Sequence, residues 1–399
     1  MNSVIYCGMD VHKNSFTLCF VYGGGVLGGL VYSKPVQIGN SVSETVKICK
    51  QAAEQYKKDY GEDAKVVCGY EAGCLGFTLC RNLGKAGLRC VVLAPTTMLK
   101  DQKRVKTDKR DSRTIARCLA TGTCSLVTPP SPHDESVRDF VRMRDDHKSI
   151  QKTIKQRILA FCLKRGLIYE KTNWTGAHLD WLRKLTFEEP TDRETLDDYL
   201  LTYDQFAARI SAEDARIDEL CEEKEYEESV KKLKCFVGIK NKLALSLLTE
   251  IGNFTRFDSA GRFASFLGLT ASESSSGEKQ RQGGITKSGN SHLRKQLIEA
   301  AQGICRGRPG YKSKALKERQ ADCDSETVAY ADKGNVRMRK RYYHLIEKNK
   351  SRNTAVTAVA RELACFVWGM MTDNTKTPEE QEAADRAEAQ ALGEALAAL

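Results

Sequence analysis

Three short runs rich in β-branched and aromatic residues open the chain: VIYCGM at 4–9, FTLCFVY at 16–22 and VLGGLVY at 26–32. The segments joining them, including GGG at 23–25, are too short to hold the crossover that parallel neighbours need. Strands joined this tightly run antiparallel, so the chain must begin as a meander. The pattern then changes. Helical spacing runs from Val42 to Tyr56 with Ser41 or Ser43 as N-cap, and KVVCGYE at 65–71 is a buried strand. Gly73 and Gly76 break the chain before a short helix ending near Ala86, and RCVVLA at 89–94 is one more strand, closed by Pro95.

A meander followed by helix, strand, helix, strand and helix is the order of an RNase H-like α/β fold. Pro129, Pro130 and Pro132 mark the end of this domain, assigned to residues 1–128. From Pro132 to Pro190 there is no proline, and Ile150, Ile154, Ile158 and Phe161 recur at the spacing of a long amphipathic helix. A second runs from about Leu196 to Tyr226, with Tyr199, Tyr203, Phe206, Ile210, Ile217 and Leu220 on one stripe. The two form either an antiparallel pair, a dimerising coiled coil, or a helical spacer within one protomer, spanning 129–230. Residues 233–269 predict helix, Gly-containing turn, helix and a further short helix; SESSSGEKQRQGGITKSGN is a polar loop, and HLRKQLIEAAQGIC resumes helical spacing. These belong to a helical domain at 231–372, followed by an acidic tail at 373–399 read as a loose helix or disordered. The fold class expected is therefore α/β plus all-α.

The balance of 63 Lys+Arg against 52 Asp+Glu gives +11 and favours a polyanionic partner. The excess is local, because residues 276–352 hold 19 Lys+Arg against 8 Asp+Glu. No apolar run approaches the roughly 18 residues of a membrane span, and MNSVIYCGMD has no leader pattern, so a cytosolic protein is expected. The 15 cysteines are scattered, form no CxxC pair or Cys/His cluster, and are read as reduced core residues without structural zinc.

Asp10 follows the first strand in GMDVHK, and Glu71 ends a later one in GYEAG. Asp108 and Asp111 in KTDKRDSRTIAR lie one turn apart on a helix that begins there. Singly, an Asp after a strand is ordinarily a turn or cap residue, and an Asp pair at a helix start ordinarily caps it. Together, on this strand order, the four repel one another unless cations fill the space, which suits a Mg²⁺ cage, with two ions able to polarise a phosphodiester. Lys103, Arg104, Lys106, Lys109, Arg110, Arg113 and Arg117 surround the last pair as a phosphate track. His12 and Lys13 are read as an exposed, solvated pair.

GMDVHK, GYEAG and KTDKRDSRTIA resemble the DEDD motifs of the insertion-sequence transposases of the IS one-ten group. LKCFVGIKNKLALSLLTEIGNFTRF, FLGLTASESSSG and GGITKSGNSHLRKQLIEAA resemble that family's second conserved domain, so the likeness spans about residues 4–305. It implies a DNA recombinase with a RuvC-like domain, a coiled-coil linker and a small helical transposase domain, guided by a structured bridge RNA. Asp10, Glu71, Asp108 and Asp111 would be the DEDD set. The chain departs from the family at Ser112, where Ala is common, and at Gly238-Ile239-Lys240, where the turn is usually GIG. At the latter, Lys240 and Lys242 supply compensating charge for a DNA contact.

The stretch Ser274-Ser275-Ser276-Gly277, followed by Lys279, Arg281, Lys287 and Arg294, supplies hydroxyls and cations, though by itself such a stretch is ordinarily a flexible linker. The resemblance implies a serine at this SG position that attacks DNA and forms a phosphoserine link. That role falls to Ser276, with Ser275 as fallback and Ser288 third; His292 is read as a surface or packing residue. The expected function is thus a transposase with target and donor DNA and a guide RNA as partners. It would act as a dimer or tetramer in a prokaryotic cytosol, associated with the nucleoid. The alternatives are a junction-resolving nuclease using Mg²⁺-activated water, and a non-catalytic nucleic-acid scaffold.

Overall fold

A computed structural model describes residues 3–23, 29–73, 75–98, 107–273 and 282–375. The chain divides into two compact units, Met1–Pro129 and Pro130–Leu399.

In the first unit, strands β1 (Ser3–Val11), β2 (Ser15–Tyr22), β3 (Val31–Tyr32) and β4 (Val36–Gly39) precede helix α1 (Val42–Tyr60). Strand β5 (Ala64–Glu71), helix α2 (Thr78–Lys85), strand β6 (Arg89–Leu93), helix α3 (Asp108–Thr121) and strand β7 (Leu126–Val127) follow. The strand order is β3-β2-β1-β5-β6-β7, with β4 also paired to β2. β1 is antiparallel to β2 and parallel to β5, and β5 is parallel to β6. This mixed sheet is consistent with an RNase H-like fold. Of the third strand expected at 26–32, Val31–Tyr32 pairs with β2, residues 24–28 lie outside the described residues, and a further strand, Val36–Gly39, pairs with β2 beyond it. Pro35 has no N–H to give the ladder there. Ser33 stitches the gap, its Oγ accepting from Phe20 N at 2.9 Å while its own N donates to Phe20 O at 2.9 Å. Ser41, of the two candidates, caps α1 by accepting from Glu44 N.

The two faces of the sheet differ in what they can carry. Ile5, Cys7 and Met9 of β1, Phe16, Leu18 and Phe20 of β2 and Cys68 and Tyr70 of β5 form one buried cluster with Cys49 of α1 and Leu79 and Leu83 of α2. The cysteines the sequence scatters meet here: the sulfurs of Cys7, Cys49 and Cys68 lie within 4.8 Å of one another. The alternate residues of β1 and β5 face α3, and two of them are glycines. A Cβ on Gly8 would lie 2.2 Å from Ala116 N and 2.3 Å from Ser112 O, and one on Gly69 would lie 2.8 Å from Leu119 Cδ1. Helix α3 therefore rests its backbone directly on the sheet.

The second unit contains helices α4 (Pro132–Leu163), α5 (Gly176–Lys184), α6 (Pro190–Cys221), α7 (Glu227–Lys234), α8 (Asn241–Ile251) and α9 (Ala260–Phe266). A short hairpin of β8 (Ala271–Glu273) and β9 (Gln282–Ile285) comes next, then α10 (Ser291–Cys305), α11 (Lys314–Gln320), α12 (Ser325–Glu347) and α13 (Arg352–Met371). α4 and α6 are an antiparallel pair within the chain. Their cross-links run in opposite senses along the two helices: His133 with Glu223, Arg144 with Asp214, His147 with Glu213 and Arg165 with Asp192. Ile154, Ile158 and Phe161 are buried as their spacing predicts, whereas Ile150 is 43% exposed. The first long helix stops near Gly166, which is left-handed at φ 67°. Helix α5, absent from the sequence reading, packs Leu182 against Ile158 and Leu196 at that end.

At the other end Val137 and Val141 of α4 and Ile217 and Leu220 of α6 join one large core with α7 to α10, α12 and α13. Helix α7 runs through the boundary expected at 230. The sequence reading is also corrected at α13, which is long and apolar enough, by length and composition, to cross a membrane. Here it serves as the core helix of the unit, burying Val356, Val359, Leu363 and Val367. The acidic tail beyond Thr375 lies outside the described residues.

Gly8→Ala should lower stability by about 3 kcal/mol or more, because backbone atoms of α3 cannot rotate away from the new methyl. Gly84→Ala, in α2 with open space around it, should instead raise stability by about 0.5–1 kcal/mol. Chemical denaturation of both variants beside the parent checks the contrast; equal effects would mean α3 does not rest on Gly8.

Candidate active site

Strand alternation decides where the first two carboxylates go. Met9 is buried among the α1 and α2 contacts, so Asp10, the next residue, turns to the face that carries α3. Met9 pairs in parallel register with Tyr70, and Glu71 therefore follows on the same face beside Asp10. The close seat of α3 brings in the other two. Thr107 is its N-cap and Asp108 and Asp111 lie in its first turn, where unpaired N–H groups favour negative charge.

Asp10 registers this neighbourhood. Its carboxyl is pushed above its ordinary 3.8, first by burial and then by the negative charges of Asp108 and Asp111, while His12 pulls the other way. Asp10 and Asp108 are thus brought together; Asp111 acts on Asp10 by its charge, and Glu71 stands one residue past the Met9–Tyr70 pair on the neighbouring strand. His12 joins them: its Nε2 lies 3.4 Å from Asp10 Oδ2 and 3.7 Å from Asp108 Oδ1. The sequence reading leaves His12 in solvent, although Asp10 and His12, two residues apart at a strand end, share a face.

Around α3, Lys109 and Arg110 are exposed, and Arg113 lies over the Tyr32 ring at 4.1 Å. Lys103, Arg104 and Lys106 lie outside the described residues. Ser112 is buried and its Oγ donates to Lys109 O at 3.2 Å, so the departure from Ala is absorbed inside the helix.

In the second unit Ser274, Ser275, Ser276, Lys279 and Arg281 lie outside the described residues. What is described are the two ends of that segment. Gly268 and Gly289 are both left-handed, and a Cβ would lie 2.1 Å from Ser288 O at the first and 1.9 Å from Phe266 O at the second. The chain entering the hairpin at Phe266–Gly268 and the chain leaving it at Ser288–Gly289 are thereby held close together. Arg294 completes the lock, its Nη1 donating to Leu267 O at 2.9 Å and Ser288 O at 3.0 Å. Asn290 caps α10 and also donates to Glu250 at 2.9 Å, which in turn accepts a bidentate pair from Arg142 of α4. Lys242 is 2.9 Å from Asp145. Lys242 and Arg294 therefore have structural partners, whereas Lys240 and Lys287 are exposed. Gly238 is left-handed at φ 88° with no room for a side chain against Ala300 O. His292 is half-buried against Gln296 and Asp145, and burial pushes its imidazole below the ordinary value.

Two family models cover these two regions. One for a DEDD transposase matches residues 7–165, and one described as Transposase IS116/IS110/IS902 family matches residues 230–316. A putative transposase, y4qE, of Sinorhizobium fredii is 33% identical over 310 residues, covering 77% of this chain and 76% of its own length. The chain belongs to the IS116/IS110/IS902 transposase family. The transposase for insertion sequence element IS1533 of Leptospira borgpetersenii is 29% identical over 356 residues, 88% of this chain and 99% of its own. This chain is accordingly a DNA transposase of the insertion-sequence type, and its substrate is DNA. A DEDD domain implies dependence on a divalent cation, and the residues fit one. The ligand atoms of Asp10, His12 and Asp108 all lie within 4.8 Å of one another, and Asp10 pays an electrostatic cost for its neighbours that a cation would offset.

The raised Asp10 carboxyl fixes a sign. In metal-free buffer the ionised form is disfavoured in the fold, so the transposase should lose stability as pH rises from 3.8 through the folded-state value. Asp10→Asn should therefore be more stable than the parent at pH 7 without divalent cations, the gain shrinking toward pH 4. Adding Mg²⁺ should stabilise the parent and leave the variant unmoved. Thermal melts in chelator and in excess Mg²⁺ check both; a variant less stable than the parent in chelator would contradict the electrostatic account.

Proposed function

We propose that this transposase is an RNA-guided DNA recombinase in which Asp10, Glu71, Asp108 and Asp111 hold divalent cations and Ser276 is the nucleophile. The observation that carries the carboxylate half is the convergence of Asp10 and Asp108, whose ligand atoms lie within 4.8 Å of each other, with the charges of Asp108 and Asp111 raising the Asp10 carboxyl. The start of α3 favours Asp108 and Asp111 by itself, but Asp10, which they crowd, gains nothing from them unless a cation lies between. Mg²⁺, as two ions, is the proposed cofactor, and when bound it would polarise the scissile phosphate and stabilise charge on its oxygens.

The chain's own residues do the rest. The Ser276 hydroxyl gives up its proton as its Oγ attacks phosphorus, forming an Oγ–P bond as the P–O bond to the leaving sugar oxygen breaks, and that oxygen takes up a proton, so the step is proton-neutral overall. The phosphodiester energy is kept in the enzyme–DNA ester, so a second DNA hydroxyl can reverse the step and reseal the strand. Support for Ser276 comes from the Ser-Gly motif in the matched second region and from the paired glycines that fix both ends of its segment. Lys109, Lys240 and Lys287 are exposed cations suited to phosphate contacts. Guidance by a structured RNA, a dimer or tetramer as the working form, and action on target and donor DNA in the cytosol complete the reading.

Ser276→Ala should abolish a denaturant-resistant protein–DNA adduct and all strand joining on target and donor DNA with cognate RNA, while Ser275→Ala retains both. Asp108→Asn should lose cleavage altogether. Joining that survives in Ser276→Ala but not in Ser275→Ala moves the nucleophile by one residue. Cleavage without any adduct in the parent would make the protein a water-using nuclease.

A further inference from the structure

We infer that His12 is a ligand of the cation held at Asp10 and Asp108, so that this site has a nitrogen donor beside its carboxylates. The inference rests on the carboxylate reading above and goes beyond it.

His12 stands where β1 turns into β2. Its backbone N donates to Ser15 O at 2.9 Å, which pins the residue just beyond the strand end, two positions after Asp10 and on the same face. Its side chain is 53% exposed, so nothing in the core forces its direction; water is available on the open side. The imidazole nevertheless leans inward, with one nitrogen directed at two carboxylates from different elements, β1 and α3. The separations of 3.4 and 3.7 Å are longer than the about 2.7–2.9 Å of a charge-assisted hydrogen bond. They are instead close to the spacing of donors that share one ion, since adjacent ligands about 2.1 Å from an octahedral cation lie about 3 Å apart. All three ligand atoms lie within 4.8 Å of one another, so a modest closure would bring them onto one centre.

The donor set has a chemical consequence. An all-oxygen site suits Mg²⁺, whereas imidazole is a ligand of Mn²⁺ and the later transition ions far more than of Mg²⁺. A nitrogen at this position biases the site at Asp10 and Asp108 toward Mn²⁺. The alternative is that His12 merely neutralises Asp10 and Asp108 when no cation is present and swings into water when one binds. In that case no nitrogen would touch the metal.

The experiment uses the full chain loaded with Mn²⁺ and read by electron paramagnetic resonance, with pulsed measurements for directly bound nitrogen, on the parent, His12→Ala, His12→Asn and Asp10→Asn. The parent should show one histidine nitrogen coupled to bound Mn²⁺. His12→Ala and His12→Asn should lose that coupling and bind Mn²⁺ at least about ten-fold more weakly, with Mg²⁺ affinity, measured by competition, changed less than Mn²⁺ affinity. Asp10→Asn should lose the bound ion. If the parent binds Mn²⁺ in an Asp10-dependent way without nitrogen coupling, and His12→Ala binds equally well, the His12 assignment falls and the carboxylate site stands. If Mn²⁺ binding is indifferent to Asp10, both fall.

Discussion

The contact between α3 and the bare backbone of Gly8 and Gly69 is the constraint on which the first unit depends. A helix laid over a sheet is normally held off by side chains from both. Here the sheet offers none at two central positions, and Ala116 and Ser112 of the helix meet β1 without an intervening methyl. The first turn of α3 is thereby brought down to the end of β1, where Asp10 emerges. Burial, helix N-terminus and like charge then act on the same small volume. The raised Asp10 carboxyl follows from that packing as much as from the residue itself.

The second unit uses polar contacts for a comparable purpose. Glu250 of α8 is almost fully enclosed, with a side-chain exposure of 4%, and a buried carboxylate needs compensating donors. Arg142 of α4 and Asn290 at the start of α10 supply them. Asp145, one turn along α4, likewise gathers Lys242 and Gln296. Together they orient the helical shaft of α4 and α6 and the far end of the serine segment relative to one core. Gly268, Gly289 and Arg294 hold the segment's two ends against each other. The second unit thus fixes where the segment begins and ends.

Much of this was legible in the sequence because the relevant signals are local. The strands at 4–9, 16–22, 65–71 and 89–94 lie within about two residues of their observed ends, since β-branched runs bounded by turns leave little choice. The Asp108 and Asp111 spacing predicts one helix face, and the helix begins at Asp108. Features built from short or long-range contacts were not legible. Strand β7 and the β8–β9 hairpin are too short to show a period, α5 is disguised by a proline-free stretch, and strand β4, only four residues long, hides behind Pro35. The convergence of Cys7, Cys49 and Cys68 requires three elements, so no spacing rule reveals it. His12 is the instructive miss. Its exposure was foreseen, but its direction depends on Asp108, ninety-six positions later, arriving on the seat that Gly8 and Gly69 leave open. The role of α13 as the centre of the second core likewise depends on contacts with distant helices.

The central claim is that the sheet face opened by glycine gathers a cation site at Asp10 and Asp108. Crystals of the full chain grown or soaked with Mn²⁺, with anomalous data collected at the manganese edge, test it most directly. The account predicts an anomalous peak within coordination distance of the Asp10 and Asp108 carboxylates. Well-ordered Asp10 and Asp108 side chains with no peak between them, at a Mn²⁺ concentration that supports DNA cleavage, would contradict it.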